Sequence, residues 1–365
     1  MTTDLLHRTV AYLCSDACAG RRPGTPEGRA AREYIAATMG ALGLVPAGEP
    51  DGSATADGPS YLQSLEAIEG ANVLGLLPGA GPRADRTVIL AAHHDVWCDP
   101  AWPAAYRGAD DNAAAVAILL ACAEQLVSRR AELDRTVLFC AFDAEEPPHF
   151  LGHTMSSMSF VRRPTVALDS IDMMVCLDLV GHAVGPADLP AGVRQSVFVL
   201  GAERSRGTGL VVDGAPLVPG VVLRRIDNDF IPPLSDYHAF DLAGVPFLFL
   251  SAGRWQHYHR PTDTAEKLDF GKMGALAAYL TGLLVALAGR EDETRFDPGG
   301  HDDEASVSSA LALVEALVPF SPDLARPLAG LRGLRAALDA GEALTPEERA
   351  FVGITLAGLE RALAG

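Results

Sequence analysis

Apolar runs that stop on His, Asp or Glu recur along this chain. The run 88–92 leads into His93-His94-Asp95, and 136–142 leads into Asp143-Ala144-Glu145-Glu146. The run 173–177 leads into Asp178, and 246–250 leads, after a short Gly-containing loop, to His257-Tyr258-His259. A buried-looking helix from Ala113 onward is preceded by Asp110-Asp111. Open α/β sheets collect ligands outside the carboxyl ends of their strands. A chain that repeatedly puts ligand-type residues there is building one shared site.

The segments around these runs alternate between strand and helix. Helices are expected over 3–14 and 26–43, the second opened by Thr25-Pro26, a capping residue followed by a proline at the first helical position. Gly20-Arg21-Arg22-Pro23-Gly24 is a turn-rich connector, and 47–60 is expected as a surface loop. Strands are expected at 72–77, 87–92, 136–142, 172–177, 196–200, 221–225 and 246–250, and further helices at 112–130 and 270–288. This alternation predicts an α/β three-layer sandwich. The composition turns charged and Gly-containing at 290–303. Beyond it Val307, Leu311, Val314 and Val318 share a helical face, and Thr345-Pro346-Glu347-Glu348 is a capping box for a last helix. The expected organisation is a catalytic domain over 1–290, a linker over 291–303 and a C-terminal helical extension over 304–365.

The chain has 365 residues, 48% of them hydrophobic, enough for a substantial core. A formal net charge of -18 makes nucleic acid and anionic membrane poor partners. The six cysteines fall singly, three of them in apolar segments, and indicate neither a disulfide framework nor a thiolate metal site. The N-terminus lacks a basic region followed by an apolar stretch, and no uninterrupted apolar run approaches the ~20 residues of a membrane span. A cytoplasmic location is expected.

Neighbouring strand residues face opposite ways, so only one of His93 and His94 readily serves a given site. The H-x-D spacing selects His93, with Asp95 as the hydrogen-bond acceptor that orients it. Asp111 stands before a helix, where acidic residues are often only caps, but a carboxylate there can also bridge two cations. Glu145 and Glu146 close an apolar strand, where burying unpartnered carboxylates is costly. A metal ligand beside a general base explains the pair. Asp178 and His259 complete the set, and Asp263 is a candidate supporting or turn residue. Two imidazoles and three carboxylates suit zinc best. Five ligands, one of them bridging, suit two cations about 3.5–4 Å apart. No nucleophile elbow or phosphate-binding loop is present.

The ordered motifs resemble the co-catalytic zinc aminopeptidases of metallopeptidase clan MH, which include the bacterial leucyl-preferring and Streptomyces-type enzymes. The resemblance covers roughly residues 4–289. It is carried by the 20–26 turn, Asn72-Val73-Leu74-Gly75, His93-His94-Asp95, Gly108-Ala109-Asp110-Asp111-Asn112, Glu145-Glu146, Leu177-Asp178, Ser235-Asp236 with Gly244-Val245-Pro246, and Tyr258-His259-Arg260-Pro261. It implies a mixed, mostly parallel sheet between helices. It also implies one zinc on His93, Asp111 and Asp178, a second on Asp111, Glu146 and His259, Asp95 behind His93, and Glu145 as general base. The chain departs from the family pattern in the longer, stiffer segment 147–153 after the glutamate pair, in Arg260 where threonine is common, and in His238, one residue late.

The expected activity is removal of N-terminal residues from peptides. Two alternatives stand beside it: a glutaminyl-peptide cyclotransferase with a single catalytic zinc, and an inactive binding protein on the same fold.

Overall fold

The computed structural model describes residues 2–49, 60–292 and 294–364. Among these, one sheet is built from β1 (Val45–Pro46), β2 (Leu62–Ser64), β3 (Ala71–Leu77), β4 (Arg83–His93), β5 (Arg135–Phe142), β6 (Ile171–Leu177), β7 (Ser196–Leu200), β8 (Val222–Arg225) and β9 (Phe247–Ser251). The helices are α1 (Thr2–Leu13), α2 (Pro26–Ala41), α3 (Ala114–Ser128), α4 (Ser156–Arg162), α5 (Ala191–Arg194), α6 (Thr208–Gly214), α7 (Tyr237–Leu242), α8 (Phe270–Ala288), α9 (Asp303–Leu317), α10 (Ala325–Asp339) and α11 (Pro346–Ala364).

Strand order is β1-β3-β5-β4-β6-β9-β7-β8, with β2 also on β3. The central β5-β4-β6-β9 pairings and the β7-β8 pairing are parallel; β3 runs antiparallel to its neighbours, and β7 to β9. The sheet is therefore mixed and mostly parallel, between helical layers. Every residue of β5 and β6 is buried. Strands covered on both faces read as continuous apolar runs, which is why they stand out in the sequence. Successive side chains still alternate. Val88, Leu90 and Ala92 pack in the cluster that includes α1, α2, α3 and α8, while Ile89 and Ala91 join Phe160 of α4 and Tyr237 and Phe240 of α7.

Local chemistry sets the helix ends. Thr25 Oγ1 accepts from the Gly28 N–H at 3.0 Å at the start of α2. Asp269 accepts from the Lys272 N–H at 2.9 Å at the start of α8. Thr345 and Glu348 form the reciprocal pair expected before α11, with Thr345 N–H donating to Glu348 at 2.8 Å and Glu348 N–H to Thr345 Oγ1 at 3.3 Å. Most of the expected loop at 47–60 lies outside the described residues.

The stretches Ala109–Ser128 and Phe270–Ala288 are long and apolar enough to cross a membrane by length and composition, with hydropathies of 1.3 and 1.6. Both are largely buried among neighbouring elements; α3 packs against α1, α8 and β4. Their apolarity serves the core of a sandwich.

The C-terminal helices share an apolar cluster with the sheet-bearing body. Val307, Leu313 and Val314 of α9 and Val352, Leu356 and Leu359 of α11 pack with Val184, Val193, Ile226 and Ala252. In the segment before α9, the backbone carbonyls of Arg290 and Asp292 accept from Arg135 at 2.6 and 2.9 Å.

Candidate metal centre

The register of the parallel strands makes the site. Ala91 of β4 lies opposite Cys140 of β5 and Cys176 of β6, so the three strands end at one edge. His93 closes β4, Glu145 and Glu146 follow β5, and Asp178 follows β6. The chain beyond β9 returns to the same edge with Tyr258 and His259. Asp111 arrives from the irregular turn before α3, where Asp111 (φ -112°, ψ 81°) and Asn112 (φ -138°, ψ 37°) leave helical geometry.

The donor atoms fall into two sets joined by Asp111. His93 Nε2 lies 3.3 Å from Asp111 Oδ1 and 3.5 Å from Asp178 Oδ1. His259 Nε2 lies 3.2 Å from Asp111 Oδ2 and 3.0 Å from Glu146 Oε2. Around a tetrahedral zinc with bonds of about 2.0–2.1 Å, donors stand roughly 3.3 Å apart. The observed edges of 3.0–3.5 Å have that spacing. His93 Nε2, Asp178 Oδ1 and His259 Nε2 are buried without hydrogen-bond partners, as expected of atoms directed at a cation. The residues present therefore fit a pair of divalent ions. Glu145 is nearby but further out: its Oε2 is 3.9 Å from His93 Nε2, and its Oε1 has no hydrogen-bond partner.

A second layer of polar groups holds these side chains. Asp95 accepts from the backbone N–H of Glu145 at 3.1 Å and of Glu146 at 3.0 Å, and lies 3.3 Å from His93 Nδ1. Asp263 does the same for Asp110 and Asp111, at 2.9 and 3.1 Å. Asn112 Nδ2 donates to the Leu177 carbonyl at 3.0 Å, tying the Asp111 turn to the strand that delivers Asp178. Trp97 donates its backbone N–H to Glu146 Oε1 at 3.1 Å, and its ring stacks on the His259 ring, whose other neighbour is Tyr258. The fully buried Arg21 donates to the carbonyls of Leu13, His94, Arg107 and Gly108 at 2.6–3.0 Å, fastening the β4 end and the Asp111 turn together.

Among the described residues, four non-glycine residues have left-handed backbones: Ala144 (φ 55°), Leu151 (φ 54°), Leu179 (φ 52°) and His259 (φ 55°). Three of them are or adjoin the glutamate pair, Asp178 and the ligand histidine. Such conformations cost about 1–3 kcal/mol each and persist where the surroundings over-determine them. Here they turn the chain at the strand ends, aiming side chains into the site.

Charge in the centre is unbalanced. Burial opposes protonation of His93 and His259. The carboxylates beside them outweigh it, raising His93 well above the ordinary imidazole range and His259 to about 10. Burial raises Glu146 to about 8, helped by Asp111, and raises Glu145 well above normal, with Glu146, Asp178 and Asp236 adding to the effect. The buried carboxylates of Asp95, Asp111, Glu145, Glu146 and Asp178 face only two imidazoles, a shortage of positive charge that divalent cations would remedy.

His94 turns the other way, as strand alternation requires. Its Nε2 is 3.5 Å from the Ala71 carbonyl, and burial lowers its pKa to about 4. Another cluster, Asp227, Asp229 and His301, also has metal-like spacing, but Arg349 lies 3.2 Å from Asp227 and makes it an ion-pair network. Sequence reasoning missed Arg21, Trp97 and the Asp95 contacts to the glutamate backbone. The Gly-Arg-Arg-Pro-Gly string marks a turn but not the depth of Arg21, and nothing local distinguishes Trp97.

Residues 72–284 match the family described as Peptidase family M28. The uncharacterized protein YfbL of Escherichia coli K12 is 25% identical over 250 residues, 60% of this chain and 72% of that one. Among solved structures, the LapA aminopeptidase of Legionella pneumophila superposes with a TM-score of 0.61 at 13% identity, covering 80% of this chain and 73% of that one. The glutaminyl cyclase of Tannerella forsythia superposes with a TM-score of 0.56 at 18% identity, covering 78% of this chain and 98% of that one.

Proposed function

The chain belongs to peptidase family M28, and from that premise we propose that it is a metal-dependent hydrolase removing N-terminal residues from peptides. Two zinc ions would be held by His93, Asp111 and Asp178 and by Asp111, Glu146 and His259. The observation that carries this reading is Asp111, whose two oxygens each belong to a different donor set. When bound, the ions would polarise the scissile carbonyl and make water a stronger acid.

The rest of the mechanism belongs to the chain's own residues. Glu145 has an unpartnered oxygen and a proton affinity raised by burial and by neighbouring carboxylates. It accepts the proton of the attacking water and returns it to the leaving amine. Asp95 fixes its backbone, so the carboxylate swings only at its own side-chain torsions. Burial raises the Tyr258 hydroxyl pKa, and Asp111, Glu146, Asp178 and Glu145 add to the effect. Tyr258 therefore stays protonated and, stacked on the His259 ring, would be available to donate a hydrogen bond to the oxyanion.

Glu145→Gln tests the assignment. It is expected to keep its metal and lower kcat on aminoacyl anilides about 10²–10⁴-fold. Metal analysis together with steady-state rates reads both, and near-normal turnover would refute the role of Glu145. The fold shared with a glutaminyl cyclase supports a second reading, cyclisation of N-terminal glutamine with one zinc. A glutaminyl peptide assayed beside a leucyl anilide separates the two, as does a zinc count of one rather than two.

A further inference from the structure

The two ligand histidines are held in different ways. The His93 side chain is 1% exposed, and Asp95 lies 3.3 Å from its Nδ1. A metal-bound imidazole usually keeps its direction through such a contact on its second nitrogen. The His259 side chain is 23% exposed on the loop beyond β9, and among the described residues no hydrogen bond reaches its Nδ1. Two rings lie nearly parallel to it instead: Trp97, with centroids 5.1 Å apart and 11° between planes, and Tyr258, at 3.8 Å and 21°. Tyr106 meets the Trp97 ring edge-on at 5.2 Å and 81°. The segment carrying these two rings is tied at both ends, since the Val96 N–H donates to the Arg21 carbonyl and the Gly20 N–H to the Tyr106 carbonyl, each at 2.9 Å. The Trp97 backbone N–H also reaches Glu146. One residue thus touches two of the three ligands in the set formed by Asp111, Glu146 and His259, and neither contact involves His93 or Asp178.

We propose that Trp97 is a positioning residue for one ion of the pair: its indole plane fixes the His259 ring, so it strengthens the site on Asp111, Glu146 and His259 and leaves the site on His93, Asp111 and Asp178 unaffected. The inference rests on the two-ion reading above. The outer torsion of a histidine side chain is broad, so the ring turns with little resistance of its own. A turn would carry Nε2 out of line with Asp111 and Glu146, and would also tilt the imidazole off the indole face. Stacking at His259 therefore opposes the motion that Asp95 opposes at His93. Contacts that orient a ligand imidazole are worth 10–100-fold in metal affinity, and a stack without a hydrogen bond belongs at the lower end, about tenfold. The backbone contact to Glu146 survives any side chain at position 97, so substitution there isolates the ring.

The test measures zinc dissociation constants by chelator competition on the full chain, in two single-site backgrounds. His93→Ala keeps the set that includes His259, and His259→Ala keeps the set that includes His93. Trp97→Leu should weaken zinc binding about tenfold in the first background and less than about twofold in the second. Trp97→Phe, which keeps a flat ring, should recover most of the loss. Equal weakening in both backgrounds, no weakening in either, or a loss that phenylalanine does not recover overturns the proposal. If a single-site variant fails to fold, a zinc titration of Trp97→Leu alone decides: one binding step moved supports the proposal, both or neither moved overturns it. If the unaltered protein binds a single zinc, the two-ion reading has failed, and the leucine and phenylalanine variants still decide the role of the ring. Weakening by leucine with recovery by phenylalanine supports it; unchanged affinity overturns it. An unaltered protein that binds no zinc ends both.

Discussion

Asp95 holds three parts of the centre at once: the His93 ring and the backbone amides of Glu145 and Glu146. Asp95→Asn keeps the shape but turns one acceptor oxygen into a donor facing an N–H. Losing a supporting contact of this kind typically costs 10–100-fold in metal affinity, and we expect a loss of that size in a zinc competition titration. Gly108 (φ 52°) precedes the Asp111 turn, and a Cβ there would stand 2.3 Å from both the Asp111 carbonyl oxygen and Val96 Cγ2. Gly108→Ala should destabilise the fold by about 2 kcal/mol or more in urea unfolding. Glu203 shows a residue whose burial matters away from the centre. Burial raises its pKa from 4.5 to about 7, against the Asn228 N–H it accepts. The folded protein therefore keeps a proton that the unfolded chain has lost between these values. The resulting stability is fully present below pH 4.5 and is lost as pH rises to about 7, by roughly 3 kcal/mol. Glu203→Gln should flatten that slope in denaturation curves taken across the window.

The central strands were legible as elements because burial on both faces leaves almost no polar residues in them. β1 and β2 were not, since strands of two and three residues exist only by pairing with β3. A helix was expected from 112, but the regular helix begins at Ala114. Asp263, 152 residues along the chain from Asp111, takes the amides of Asp110 and Asp111 into its carboxylate and bends the start of the element. The amino end of the sheet has its own buried ion network. Arg135 of β5 and Arg86 of β4 both pair with Asp172 of β6, and Arg135 also donates to the Ala288 carbonyl at the end of α8. Removing one side of a buried pair leaves the other charge uncompensated, at a cost of about 3–5 kcal/mol. Arg135→Met should show a loss of that size in urea unfolding.

At the level of the whole chain, the centre fastens five segments of polypeptide around buried carboxylates. Cations that bind the folded but not the unfolded state add stability through that binding. Chelation should therefore lower the melting temperature by several degrees, and added zinc should restore it at two equivalents per chain; a melting curve indifferent to chelator would count against the metal reading. The strand runs and the ligand-type residues at their ends were determined by the sequence itself, because apolar periodicity and side-chain chemistry are local properties. The pairing order that brings those ends to one edge, the two-sided placement of Asp111, the buried contacts of Arg21 and the stacking of Trp97 on His259 were decided only by the tertiary structure. Each depends on groups distant in the chain meeting in space, and no local stretch of residues specifies such a meeting.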